Sequence, residues 1–333
     1  MTETRVHAEA AAAARLRIWG LDVELRGFAS AEIAELGETF AGSLRPLPGS
    51  GTGSGSLDAE ADLVLIREGA VSLPLVGHRR PRHRGGSPSA RKFFLDGSRF
   101  RAEEQHRDIS VIHERPGFDV YAEGPARVRV RGATVTISCT GPLPPLLLAD
   151  IVEDRLLCHI RTVPAVQAHC AAWVENGRAT LIIGDSGAGK TTALFTAMRG
   201  GAAFLSNDRA FLRLRNGRVE VRSFPLPVNV GCGTIRSLGL KLPHHDLDDH
   251  DKIRLRPVEV AERFGADCEG WYPVGRVLIR NRAELDRNIY WDEDDCHPFW
   301  IRSWHPGPLP ADFRKQLSRA LETIVVTAVP TTR

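Results

Sequence analysis

The stretch Gly184-Asp185-Ser186-Gly187-Ala188-Gly189-Lys190-Thr191 most narrows what this chain can fold into. It has the spacing G-x-x-x-x-G-K-[ST] of a P-loop. The apolar run RATLIIG leads into it and TTALFTAMRGG leads out, which predicts a strand ending at the loop and a helix beginning there. Glycines let the backbone curl so that several N–H groups point at one phosphate, and a helix N-terminus adds the positive end of its dipole. Lys190 is placed to reach the β- and γ-phosphates, and the Thr191 hydroxyl to ligate Mg²⁺. Gly184, Asp185, Ser186, Gly187, Ala188, Gly189, Lys190, Thr191 and Thr192 are therefore the candidate contacts of a nucleoside triphosphate such as ATP. Asp185 is read equally as a second acidic group of the site or as a loop residue pointing to solvent.

A second feature follows 18 residues after Lys190. The short apolar run Ala202–Ser206 ends in Asn207-Asp208-Arg209. A carboxylate at the end of a strand beside a P-loop is the usual second holder of Mg²⁺, so Asp208 is a candidate metal ligand. So short an interval leaves room for one helix and one tight turn, which predicts that this strand and the P-loop strand are neighbours. Asn176-Gly177, between VQAHCAAWVE and RATLIIG, is a strong hairpin signal. It would place His169 on the strand next to the P-loop strand, as a base, a phosphate-steering group or a structural residue.

Composition bounds the rest. In 333 residues, 42% hydrophobic content is ample for packed cores, and the length fits two domains. We expect a smaller accessory α+β domain over residues 1–145, where short strand-like runs are punctuated by Gly and Pro, and an α/β nucleotide-binding domain with a mixed sheet over 146–333. The charges nearly cancel to +3, which argues against a global grip on nucleic acid or membrane. No apolar segment reaches the ~20 residues of a bilayer span, and the N-terminal stretch lacks the order of a signal peptide, so a cytoplasmic protein is expected. The six cysteines form no CxxC pair, which predicts reduced, mostly buried thiols. The basic stretch 78–92 reads as a solvated loop or as a loop for an anionic partner or phosphate, and the acidic, His-containing stretch 244–251 as an exposed loop rich in possible metal ligands. LPPLLLADIVEDRLLCHIRTV and ADFRKQLSRALETIVVTAV each read as a helix, and Pro225–Gly231 as a run lining a substrate cleft.

Together, the GDSGAGKT loop, the helix ending in RGG, the apolar strand with its D-R pair and the upstream His169 resemble the HPr kinase/phosphorylase family of P-loop kinases, whose core is shared with phosphoenolpyruvate carboxykinase. Ile235-Arg236-Ser237-Leu238-Gly239-Leu240 is similar to that family's IRGLGI signature. The resemblance covers about Val166–Leu240 and leaves out the first 150 residues. In this it looks closer to relatives that phosphorylate peptide natural products, as in lasso-peptide clusters, than to the housekeeping enzyme. The family's paired acids fall on Asn207 and Asp208. An amide at Asn207 can offer a carbonyl oxygen to Mg²⁺ but cannot act as a base.

The resemblance implies Lys190, Asp208, His169 and Arg236 as the catalytic set, Thr191, Asn207 and Asp208 as the metal set, and ATP with Mg²⁺ as the cofactors. The expected partner is a hydroxyl-bearing peptide, protein or small molecule, with no nucleic acid and no membrane, and a homo-oligomer is compatible. Two rivals stay open at this point: a nucleotide-binding or hydrolysing switch without an acceptor, and a purely structural relative.

Overall fold

The computed structural model describes residues 12–40, 44–46, 61–68, 91–95, 98–102, 109–115, 118–123, 126–139, 141–143, 147–224, 228–240, 252–255, 260, 270–279, 282–290 and 309–327. The Gly/Ser-rich stretch 48–56, the basic stretch up to residue 90, the stretch 244–251 and the tryptophan-rich stretch 291–304 lie outside them, as do the side chains of Arg254 and Arg256. The chain is mixed α/β and divides into two compact units, the first running essentially through His159 and the second beginning at Ile160. Among the described residues no helix is long and apolar enough to cross a membrane.

The first unit holds β1 (Ala12–Ile18), β2 (Leu21–Phe28), α1 (Ser30–Thr39), β3 (Leu44–Pro46), β4 (Leu63–Glu68), a separate hairpin β5 (Arg91–Leu95) and β6 (Ser98–Ala102), then β7 (Ile109–Arg115), β8 (Phe118–Glu123), β9 (Ala126–Arg131), β10 (Thr134–Cys139) and α2 (Leu147–Ile160). Its sheet runs β3-β1-β2-β4-β10-β9-β8-β7. β4 is parallel to both β2 and β10, and the other pairings are antiparallel. The alternation is that of a sheet with one covered face: Val23 and Leu25, Leu63 and Leu65, Val128 and Val130, Val135 and Ile137 are all fully buried. α2 belongs here, since Arg155 Nε donates to the Asp62 carbonyl at 3.2 Å.

The second unit continues with β11 (Ala165–Glu175), β12 (Arg178–Ile183), α3 (Lys190–Arg199), β13 (Ala203–Ser206), β14 (Arg209–Arg215), β15 (Arg218–Ser223), β16 (Val228–Gly231), α4 (Cys232–Leu238), β17 (Lys252–Leu255), β18 (Tyr272–Ile279), α5 (Arg282–Asn288), β19 (Ile289–Tyr290), α6 (Phe313–Glu322) and β20 (Val325–Thr327). β11 and β12 form the expected hairpin, with Glu175 opposite Arg178. Asn176 and Gly177 take φ of 51° and 72°, the left-handed pair of a two-residue turn whose twist matches the strands. β18 is antiparallel to β15 and parallel to β12, so β12-β11-β14-β15-β18 returns on itself. The C-terminal segment is a helix only to Glu322. β-branched Val325, Val326 and Thr327 instead add a parallel strand to β18.

β11 is the organising strand. Val166, Ala168, Cys170 and Ala172 point into one core, which α6 covers with Phe313, Leu317 and Leu321. Ala171 and Trp173 point into another, which α3 covers with Leu194, Phe195 and Met198. The period of two therefore serves a strand buried on both faces. Full burial of a side chain such as Leu194 or Phe195 stabilises by about 1.5–3 kcal/mol.

β13 does not neighbour β12. The hairpin occupies one edge of β12 and β18 the other, so β13 pairs with the far edge of β11, at Ala172–Val174. The backbones of β12 and β13 are thus about two strand spacings apart, ~9.5 Å. β13 and β14 follow one line along β11, interrupted by a bend at Asn207-Asp208. Leu205 and Ala210 sit in the same core although an odd separation would put them on opposite faces of a regular strand. The register shift at Ala172/Trp173 and the bend absorb that extra residue. Gly177→Val forces a β-branched residue into the left-handed region, so urea denaturation is expected to show a loss of about 1–2 kcal/mol, whereas Asn176→Gly stays near wild type.

Candidate functional site

All sequence-predicted site residues lie in the second unit, and most gather where β12 and β13 end on either side of β11. Ile183, the last residue of β12, is opposite Cys170. On the other edge Cys170 N donates to the Asp208 carbonyl at 3.1 Å. Loop 184–189 and Asp208 are therefore level with each other, at the carboxyl ends of two parallel strands, with β11 between them.

The loop turns tightly. Ala188 N donates to the Asp185 carbonyl at 3.1 Å, and Gly187 and Gly189 have φ of 77° and 82°. A Cβ on Gly184 would meet the Ala188 Cβ at 3.0 Å and Glu284 Oε2 at 3.4 Å. α3 begins at Lys190 behind Gly189, with no side-chain cap and no acidic residue in its first turn. Its first N–H groups are left to an outside acceptor.

Lys190 is buried at 7% exposure. Its ammonium donates to the carbonyls of Gly184 at 2.7 Å and Asp185 at 3.1 Å. Burial pulls it below the usual lysine range, against the opposing pull of Asp208, Cys170, Asp185 and Glu284. Cys170, between the two halves of the site, is pushed up to about 12 by burial. Lys190 acts against that rise and Asp208 with it, so the group stays a neutral thiol.

His169 leaves β11 on the side where α3 packs. Its Nε2 lies 3.1 Å from Asp208 Oδ1, and its Nδ1 lies 3.0 Å from Asn288 Oδ1. Asp208 is half-exposed. Burial pushes its carboxyl up, but the hydrogen bond and charge of His169, with Arg209 and Lys190, outweigh this and hold it below the usual carboxylate range. Asp185 does not point freely to solvent. Arg287 Nη2 donates to its Oδ2 at 2.7 Å and Asn288 Nδ2 to its Oδ1 at 3.0 Å, and with Arg287 first these hold it below its ordinary value.

Asn207 is buried, and its Nδ2 donates to the Asn229 carbonyl of β16 at 3.3 Å. Of the Pro225–Gly231 run, 225–227 lie outside the described residues, and β16 meets Asn207 through the Asn229 carbonyl. Thr191 is half-buried at the start of α3. The hydroxyl of Thr192 is shared with that of Thr234 in α4 at 2.7 Å, and Arg199 donates to the Leu238 carbonyl at 3.1 Å, so α4 is fastened to α3. Arg236, on the same helix, is exposed, and among the described residues its guanidinium pairs with no group of the loop. Ser186 is exposed at the loop tip.

Three side chains set against the loop escape a reading of the motifs: Glu284, Arg287 and Asn288 on α5. Their spacing of i, i+3, i+4 in RAELDRN places them on one helical face, the only available signal.

No family model matches this chain, and no curated protein matches it. Among solved structures it is similar to the Hpr(Ser) kinase/phosphatase from Coxiella burnetii, at 16% identity and a TM-score of 0.22, over 34% of this chain and 58% of that one. The chain therefore spans little more than half the length of that structure, and a likeness of this extent carries no argument about chemistry.

The carboxyl of Asp208 is held below its ordinary value in the fold. Its stabilising effect is therefore present above the unfolded value of about 4 and is lost as pH falls through the folded one. The urea midpoint is expected to drop more steeply below about pH 4 in wild type than in Asp208→Asn.

Proposed function

We propose that this chain is an ATP-dependent kinase that transfers the γ-phosphate to the hydroxyl of a peptide, protein or small-molecule acceptor. One observation carries the reading. A buried ammonium at the head of an uncapped helix and a carboxylate tied to a histidine stand level across a single strand. The loop's turned glycines and the free first turn of α3 suit a polyphosphate. Lys190, already desolvated, gives its charge to phosphate oxygens more strongly than an exposed lysine would.

The residues also fit Mg²⁺. Asn207 Oδ1 is buried without a hydrogen-bond partner among the described residues, while the other end of the amide is held by Asn229. With the Asp208 carboxylate and the Thr191 hydroxyl it makes a set of oxygen donors of the kind a hard cation takes. When bound, the ion supplies charge that offsets the β- and γ-phosphates. Asp208 is the carboxylate able to take the proton of the acceptor hydroxyl, and His169 keeps it ionised and oriented. Asn207 cannot share that task. Arg236 is assigned to the transferring phosphoryl group only on its place in the Ile235–Leu240 segment. Catalysis by such a set is mostly positioning and electrostatic stabilisation.

The test is phosphotransfer from γ-labelled ATP to candidate acceptors. Lys190→Ala and Asp208→Asn are each expected to lower transfer at least roughly 100-fold, and Lys190→Ala to weaken MgATP binding by calorimetry as well. Full transfer by Asp208→Asn removes that residue from the chemistry. ADP release that ignores every acceptor makes the chain a hydrolysing switch instead, and absence of heat with any triphosphate overturns the reading.

A further inference from the structure

Loop 184–189 carries an acid where the proposed ligand is an anion. Left alone, the Asp185 carboxylate would repel a phosphate. Two residues at the end of α5 hold it: Arg287 on Oδ2 and Asn288 on Oδ1. Asn288 does more than this. Its Nδ2 donates to Asp185 at 3.0 Å and to the Glu284 carbonyl at 2.8 Å. Both amide hydrogens are then used on oxygens that can only accept, which fixes the amide's orientation. Its Oδ1 is left facing His169 Nδ1 at 3.0 Å, so Nδ1 donates to it, and the hydrogen bond from Nε2 to the Asp208 carboxylate at 3.1 Å then requires a hydrogen on both ring nitrogens.

We propose that Asn288 is a positioning residue that joins the two halves of the site: its NH₂ end holds Asp185 back from the anion, and its carbonyl end selects which nitrogen of His169 faces Asp208. The inference deepens the kinase reading of the same site and rests on it. The charged groups around the joint come from every packed element. They are Lys190 from α3, Asp185 from the loop, Asp208 and Arg209 from the bend into β14, and Glu284 and Arg287 from α5 itself. Asn288 is the uncharged group among them, and it can donate to an acid and accept from a ring at once.

The experiment has two independent readouts on the full chain. Ring-nitrogen NMR of histidine-labelled protein without nucleotide, with His169 assigned by its loss in His169→Gln, is expected to show a protonated Nδ1. A bare Nδ1 in wild type overturns the proposal without any variant being made. Asn288→Leu, which removes both ends, is expected to lose that signature in a protein whose other ring signals are retained. Asn288→Asp keeps an acceptor for Nδ1 and sets a second carboxylate against Asp185. It is expected to keep the signature while weakening MgATP binding roughly tenfold, with Asp185→Asn in the same chain returning the affinity to within about threefold of wild type. An unchanged ring signature in Asn288→Leu, or unchanged affinity in Asn288→Asp, overturns the proposal. If wild type binds no triphosphate, the kinase reading fails, and the ring spectra alone then decide whether Asn288 orients His169.

Discussion

Strand β11 is buried on both faces, and that requirement assembles the site. A strand so placed can leave no backbone group unpaired, so both edges must be bonded along their length. β12 and β19 take one edge, β13 and β14 the other. The faces must be covered too, and α6 and α3 do this from opposite sides. Two of these flanking elements, β12 and β13, run parallel to each other and end within two residues of one another along β11. Whatever follows them is thereby delivered to one place. The loop follows β12 and Asp208 follows β13, which is why groups 18 residues apart come to one place without their strands touching. The arrangement obeys the general tendency of α/β sheets to build sites beyond the carboxyl ends of parallel strands.

The electrostatics then follow from burial. The ammonium of Lys190 is taken out of water, which by itself disfavours its charge, and among the described residues no acid is salt-bridged to it. Two loop carbonyls accept two of its three hydrogens, and Asp208, Asp185 and Glu284 act on it at longer range. Two of these acids are in turn restrained: Asp208 by His169, and Asp185 by Arg287 and Asn288. A cation held by neutral carbonyls and only approached by acids keeps most of its field for an incoming anion. A direct ion pair would spend it. Such a half-compensated charge is a poor stability device, and this is the kind of local inconsistency by which functional sites are recognised.

Much of this was legible in the residues. The turn at Asn176-Gly177 needed φ above zero twice, and the spacing from Gly184 to Thr191 left few alternatives to a strand, a loop and a helix. The hairpin signal also put His169 on the strand next to that of the loop. What could not be read was which edge β13 would choose. Chain length permitted adjacency to β12, but β18 arrives from about ninety residues downstream and occupies that edge. Nonlocal pairing of this sort leaves no local signal. The same holds for α5, whose Glu284, Arg287 and Asn288 look like an ordinary charged helix until the fold sets them against the loop. At the C-terminus, the helical spacing of Phe313, Leu317 and Leu321 was visible, but the switch to β20 depended on a free edge of β18.

Asn207 shows how tightly the neighbourhood constrains the chemistry. Its Nδ2 donates to the Asn229 carbonyl of β16, so that position must present a donor. A carboxylate there would set an acceptor against an acceptor in a buried place, a cost of the order of 1–3 kcal/mol for the unsatisfied group before any charge is counted. An amide therefore suits the strand beside it better than a second acid would. The neighbouring acid, Asp208, is kept ionised by the groups around it. The His169 ring, oriented through Asn288, and the cations of Arg209 and Lys190 do that. The amide at 207 and the network around Asp208 are in this sense one arrangement: a position held as a neutral donor leaves the ionised state of its neighbour to the groups around that neighbour.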